Sequence, residues 1–159
     1  MVMWDQVFKE IAADYPDVTT DRILVDAMTT RMVLQPQSLD VVAATNLHAD
    51  ILSDLVAALS GSLGIAATAN LRPERDYPSM FEPIHGSAFD LVSKGIANPI
   101  GALWTASMML DHLGARVAST QLMTAIEKVT STGRVIPADL GGHAATREVT
   151  DAVIDAIGT

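Results

Sequence analysis

The run Asp40-Val41-Val42-Ala43-Ala44-Thr45 leads directly into Asn46-Leu47-His48-Ala49-Asp50-Ile51-Leu52-Ser53-Asp54-Leu55, and the change of period at that junction decides the fold class. Residues 40–45 are a short apolar run of strand length, the pattern of a strand buried on both faces. From residue 48 to 60 the apolar positions Ile51, Leu52, Leu55, Val56 and Leu59 fall on one helical stripe, and Gly61 is its stop signal. Toward the N-terminus, Trp4, Val7, Phe8 and Ile11 recur at helical spacing until Asp14-Tyr15-Pro16. Residues 22–27 read as a short extended run, and a brief helix through Met32 and Leu34 ends at Pro36. Toward the C-terminus, residues 61–98 are rich in turn formers, including Gly61, Gly64, Gly86, Gly95, Pro73, Pro78 and Pro83, with Met80-Phe81-Glu82 as a short strand. Helices are expected over 100–113 and 116–130, each ended by a glycine, and over 146–157. Strand and helix in alternation, joined by long loops, predict an α/β layered fold.

Composition narrows the function classes. The 159 residues suit one domain by length. Hydrophobic types reach 49%, but aromatics only 4%, so the core must be built from small and aliphatic side chains. That content excludes a disordered or collagen-like chain. Nineteen acids against ten bases give a net charge of −9, a poor match for nucleic acid or an anionic membrane, whose affinity comes from neutralised phosphates. No apolar run approaches the ~18 residues that span a bilayer, and residues 1–20 lack a signal-peptide pattern, so a cytoplasmic location is expected. The absence of cysteine excludes disulfides, thiolate nucleophiles and cysteine-held metal clusters. A metal held by this chain needs carboxylate, imidazole or carbonyl ligands, and oxygen ligands favour magnesium or manganese.

Two motifs carry candidate chemistry. Asp50 and Asp54 are four apart, so on a helix they share a face with β-carbons roughly 5–6 Å apart. At an effective dielectric near 20, two such charges ~6 Å apart repel by about 3 kcal/mol. No lysine or arginine lies within four residues of either. A divalent cation would supply the missing charge; a solvated acidic face near a helix N-terminus is the ordinary reading of the spacing alone. The second motif is Phe81-Glu82-Pro83-Ile84-His85-Gly86-Ser87-Ala88-Phe89-Asp90. Small residues at 86–88 let backbone amides approach a phosphate, and a following carboxylate can accept from ribose hydroxyls. It is not a GxGxxG fingerprint, and by spacing alone an ordinary surface loop is favoured. His48, His112 and His143 have no ligand-like spacing.

Taken together, Asn46–Leu55, Met80–Ala88 and Lys94-Gly95-Ile96-Ala97-Asn98-Pro99 resemble the isocitrate/isopropylmalate dehydrogenase superfamily. Leu71-Arg72-Pro73-Glu74-Arg75, Tyr77-Pro78-Ser79 and Ala97-Asn98-Pro99-Ile100-Gly101-Ala102-Leu103-Trp104 resemble its tartrate and D-malate dehydrogenase branch. The resemblance covers essentially the whole chain. It implies an isopropylmalate-dehydrogenase-like layered fold, C-terminal portion only, with a parallel-containing sheet flanked by helices. Residues 1–39 would belong to the smaller dimer-forming domain, and 40–159 to the NAD- and metal-binding part of the larger one.

The same resemblance implies NAD-dependent and magnesium- or manganese-dependent oxidation, with or without decarboxylation, of a small 2-hydroxy dicarboxylic acid such as tartrate or D-malate. It makes Asp50 and Asp54 metal ligands, joined by Asp26, which comes from the partner subunit of a homodimer. It places the cofactor on His85, Gly86, Ser87, Ala88, Asp90 and Asn98, with Glu82 near the nicotinamide. Asp90 would repel a 2′-phosphate, which favours NAD over NADP. The family's general-base lysine, acid tyrosine and substrate-binding arginines align upstream of Met1, and neither Lys9 nor Tyr15 lies in their context. No catalytic residue is therefore assigned beyond the metal site. A catalytically incomplete binding or dimerisation fragment is the alternative of a different class, and 3-isopropylmalate dehydrogenase is the rival enzyme.

Overall fold

The structure, a computed structural model, describes residues 2–158 and divides into two compact units, Met1–Ala43 and Ala44–Thr159. The first unit holds helix α1 (Val2–Ala13), helix α2 (Val25–Leu34) and a single 3-10 turn, Pro36–Ser38. The stripe predicted for α1 is present but uncovered: Trp4, Val7, Phe8 and Ile11 are between 40% and 56% exposed. Met32 is the one buried side chain among the described residues of this unit. Arg31 fastens the end of α2. Its Nε and Nη2 donate to the Oγ and carbonyl of Ser38 at 2.8 and 3.0 Å, and Nη1 pairs with Asp21 at 3.0 Å.

Two expectations for this region fail. The extended run over 22–27 gives up its last three residues to α2. The Met28 amide already donates to the Leu24 carbonyl, and Asp26 sits in the first turn, where the helix dipole favours an acid. Residues 40–45 are not a strand: Val41 is 89% exposed, and no described strand runs beside them. An apolar run becomes a strand only when a second segment completes its ladder, and composition cannot supply that partner.

The second unit begins with α3 (Asn46–Leu59), followed by a 3-10 turn at Leu63–Ile65 and strands β1 (Ala67–Asn70) and β2 (Met80–Pro83). After a one-turn helix at Phe89–Leu91 come α4 (Ile100–His112), α5 (Arg116–Thr132), a turn at Ala138–Leu140 and α6 (Thr146–Ile157). The sheet is a two-stranded antiparallel ribbon, Ala67 opposite Pro83 and Asn70 opposite Met80. The expected parallel pairing is reduced to one isolated bridge, Pro137 with Ala144. β1 is a strand of small residues without an apolar alternation to announce it, and its pairing with β2 is what makes it extended.

As composition required, the core is aliphatic. Ile100 of α4, Ala125, Ile126 and Val129 of α5, and Val149 and Val153 of α6 form one buried cluster. Glycine at 101 lets α4 lie against the chain at 64–66, since a β-carbon there would come within 2.8 Å of the Gly64 carbonyl oxygen. Buried hydroxyls are satisfied: Thr105 donates to the Gly101 carbonyl at 2.7 Å and Ser107 to the Ser119 carbonyl at 3.0 Å. Glu148 accepts from the Ala145 amide at 2.7 Å and closes the start of α6. No helix among the described residues is long and apolar enough to cross a membrane.

Candidate functional site

The helix anticipated around the acidic pair exists, so Asp50 and Asp54 lie one turn apart on α3. Both are exposed, and no hydrogen bond or ion pair engages either carboxylate among the described residues. The buried residues of α3 are Leu52, on the side of the helix away from the acids, and Ala57, one turn beyond Asp54 on their own side. Ser53, between them, turns its hydroxyl inward to the Asp50 carbonyl at 3.1 Å. Asp26 is in the first unit, in the first turn of α2, where its Oδ1 accepts from the Ala27 amide at 2.8 Å. Among the described residues no three histidine, aspartate or glutamate side chains cluster within this single chain. The Asp50–Asp54 pair is thus two-thirds of the ligand set the resemblance implied.

The donor chemistry fits a hard cation: paired carboxylate oxygens on a rigid helix, with no basic neighbour competing for them.

The second motif is assembled on β2 and the turn after it. Side chains alternate along the strand, Phe81 and Pro83 half-buried, Met80 and Glu82 exposed. Glu82 stands opposite Thr68 of β1. After Pro83 the Ile84 amide donates to the Ala66 carbonyl at 3.1 Å, and the chain then turns at His85-Gly86-Ser87-Ala88. Gly86 has φ of +67°, and Ala88, with φ of 41° and ψ of 56°, is left-handed despite its β-carbon. His85 Nδ1 lies 2.8 Å from the Gly86 carbonyl. A carbonyl only accepts, so Nδ1 carries the hydrogen in this contact. Asp90 is exposed in the one-turn helix. An exposed turn of small residues with two left-handed positions and a carboxylate just beyond suits a phosphate and a ribose.

Asn98 is more occupied than the sequence suggested. Its Oδ1 accepts from the Ile100 amide at 2.9 Å, and its Nδ2 donates to Asp139 Oδ2, also at 2.9 Å. The same Asp139 oxygen accepts a short hydrogen bond from Ser62, whose hydroxyl oxygen accepts from the Gly64 amide at 2.8 Å. Thr146 completes the clamp on the 95–97 loop: its amide donates to the Gly95 carbonyl at 2.8 Å and its hydroxyl to the Ala97 carbonyl at 2.6 Å. Ser62, Asp139 and Thr146 were not found by sequence reasoning. Their separation from Asn98 along the chain gave no local spacing to read. The only signal was Asp139-Leu140-Gly141-Gly142 in an otherwise ordinary loop.

Two surface hollows lie away from these residues. One of about 470 Å³ runs between α4 and α5, lined by Trp104, Ser107, Met123 and Glu127 among others. One of about 430 Å³ is bounded by Gly133, Ile136, His143 and Glu148. Neither contains a sequence-predicted site residue.

The isocitrate/isopropylmalate dehydrogenase family matches residues 1–155, and the chain belongs to that family. A probable tartrate dehydrogenase/decarboxylase of Agrobacterium vitis is 63% identical over 157 residues, 99% of this chain and 44% of that protein. D-malate dehydrogenase (decarboxylating) of Escherichia coli K12 is 46% identical, over 96% of this chain and 44% of its own length. The solved isocitrate dehydrogenase of Methylococcus capsulatus superposes with a TM-score of 0.92 at 39% identity, covering 97% of this chain and 45% of that one. The helix-rich α/β fold with a small sheet is therefore that of isocitrate dehydrogenase-type enzymes, and the chain spans less than half the length of the curated relatives it matches.

Proposed function

We propose that this chain is the NAD- and metal-holding part of an oxidoreductase that oxidises a small 2-hydroxy dicarboxylic acid such as tartrate or D-malate, with or without loss of carbon dioxide. Magnesium or manganese and NAD are the cofactors, and a homodimer shares the metal site. The observation that carries the reading is the Asp50–Asp54 pair, two adjacent exposed carboxylates with no cation to balance them among the described residues. The names of the relatives support the substrate class.

In this reading Asp50 and Asp54 hold the cation from one subunit and Asp26 approaches it from the other. A cation held there would supply Lewis-acid polarisation of the substrate's hydroxyl oxygen, and a bound NAD would supply a hydride acceptor. The His85–Ala88 turn presents backbone and small side chains to the dinucleotide. Asp90 accepts from the ribose hydroxyls and repels a 2′-phosphate. Glu82, on the exposed face of β2, lies toward the nicotinamide end, and Asn98 fixes the neighbouring wall through its bonds to Ile100 and Asp139.

The test is calorimetric titration of the chain with manganese and with NAD, followed by NADH formation with tartrate, D-malate and isopropylmalate. Saturable binding of both cofactors by the chain is expected, and turnover of tartrate or D-malate in a protein that also carries the family's lysine, tyrosine and arginines. Failure to bind manganese, or binding that survives Asp50→Asn with Asp54→Asn, overturns the reading. Preference for isopropylmalate replaces the substrate, and binding without turnover assigns the chain to holding the cofactors alone.

A further inference from the structure

β2 is a four-residue strand with one partner, and a two-stranded ribbon of that size is marginal by itself. The ribbon packs on α4, and at the C-terminal end of that helix the contact is polar. His112 is the last residue of α4 and half-buried. Its ring lies 5.4 Å from that of Phe81, centroid to centroid, at 53°. Its Nε2 is 3.2 Å from the Ser79 hydroxyl, which in turn accepts from the Arg72 amide at 2.9 Å. The His112 carbonyl accepts from Arg75 Nη2 at 2.7 Å. Arg75 is one of three non-glycine residues with positive φ among the described residues, at 57°, a strained backbone state that the bond to His112 helps to hold. A guanidinium at that place also meets the negative end of the helix dipole.

One residue therefore gathers the backbone at 72, the strained turn at 75, the hydroxyl at 79 and the ring at 81. Phe81 and Glu82 are adjacent on a pleated strand, so tilting the half-buried Phe81 swings the exposed Glu82 through the opposite arc. The His85–Ala88 turn starts two residues past the strand. We propose that His112 is a positioning residue for the dinucleotide segment: it sets the orientation of β2 and thereby of Glu82 and the turn that follows. The inference rests on the reading of residues 82–90 as the NAD site, and deepens it.

The experiment combines NAD titration of the full chain by calorimetry with amide exchange over residues 80–88. His112→Ala is expected to weaken NAD about fivefold, the scale of one lost hydrogen bond. It should speed exchange at 80–88 and leave protection in α5 and α6 unchanged. His112→Gln, which keeps a polar group near the Nε2 position, should recover part of the affinity. His112→Phe, which keeps the ring, loses the bond to Ser79, whereas Ser79→Ala loses that bond and the one from the Arg72 amide, so the double variant should be no worse than Ser79→Ala alone. Unchanged exchange at 80–88 in His112→Ala overturns the proposal. So does protection lost equally throughout α5 and α6, which marks general destabilisation. Absence of NAD binding by the unaltered chain counts against the proposed function, and the exchange data still decide whether His112 holds the segment.

Discussion

Asp50 and Asp54 are exposed carboxylates, one turn apart, that no basic side chain pairs with among the described residues. Proteins tolerate such pairs at a cost, and a bound divalent ion converts the cost into affinity. Asp54→Asn keeps the shape and removes one charge. It should weaken manganese binding about tenfold or more, roughly 1.4 kcal/mol, while raising or leaving unchanged the melting temperature of the metal-free chain. Titration calorimetry and thermal melts with and without manganese check both halves. A second residue-scale expectation concerns Arg72 and Asp76, paired at 2.6 Å in the turn that leads to β2. The side-chain hydrogen bond from Arg72 lowers the Asp76 pKa below its ordinary value. The folded chain therefore holds this proton less tightly than the unfolded one. The stabilisation is present above the ordinary carboxylate range and is lost as pH falls through the lowered pKa. Both groups are open to water, so the effect is small and screened by salt. Melting temperatures of Asp76→Asn and the unaltered chain should differ slightly at neutral pH and converge in acid.

At the scale of elements, the close approach of α4 to residues 64–66 sets a packing requirement. In Gly101→Ala the new methyl meets a backbone oxygen, which cannot rotate away, and the expected loss is about 1–3 kcal/mol in chemical denaturation. Helices were legible because their signals are local. The stripe of α3, the glycines after α4 and α5, and the limits of α6 at Thr146 and Ile157 can be read from a few consecutive residues. Strands were not, because a strand is a relation between segments. Residues 40–45 have strand composition and no partner, whereas Ala67–Asn70 has little strand character and pairs with β2. The site divides in the same way. Asp50, Asp54 and the 85–88 turn lie within short stretches that can be picked out locally, but spacing alone favoured a solvated face and a surface loop, and the resemblance supplied their roles. The clamp of Ser62 and Asp139 on Asn98 joins three distant loops and became visible only once the chain was folded.

For the whole molecule, exposed apolar residues are the dominant fact. In the first unit the stripe of α1 and Val41 face solvent, and in the second Ile51, Val56 and Leu59 of α3 are at least 43% exposed. Surfaces of this kind mark contacts with other protein. If a homodimer shares the metal site, assembly and metal binding are linked. The melting temperature should rise with protein concentration, and rise further with manganese, by about 2.7 kcal/mol of stabilisation at a hundredfold excess over the dissociation constant. Melts over a range of protein concentrations, with sedimentation at each end of the range, check this. A melting temperature independent of both variables would contradict it.

Helix α4 is pinned at both ends. Asn98 closes its first turn through the Ile100 amide, and His112 docks its last residue on Ser79 and Phe81. Its 13 residues make it a ruler about 20 Å long, marked in steps of 100°. Substitutions on its open face leave the ruler intact. Inserting or deleting one residue in its middle rotates one end by 100° against the other, and either the Asn98 clamp or the His112 contact must let go. The open face of this helix is therefore permissive in sequence, while the helix as a whole is intolerant in length.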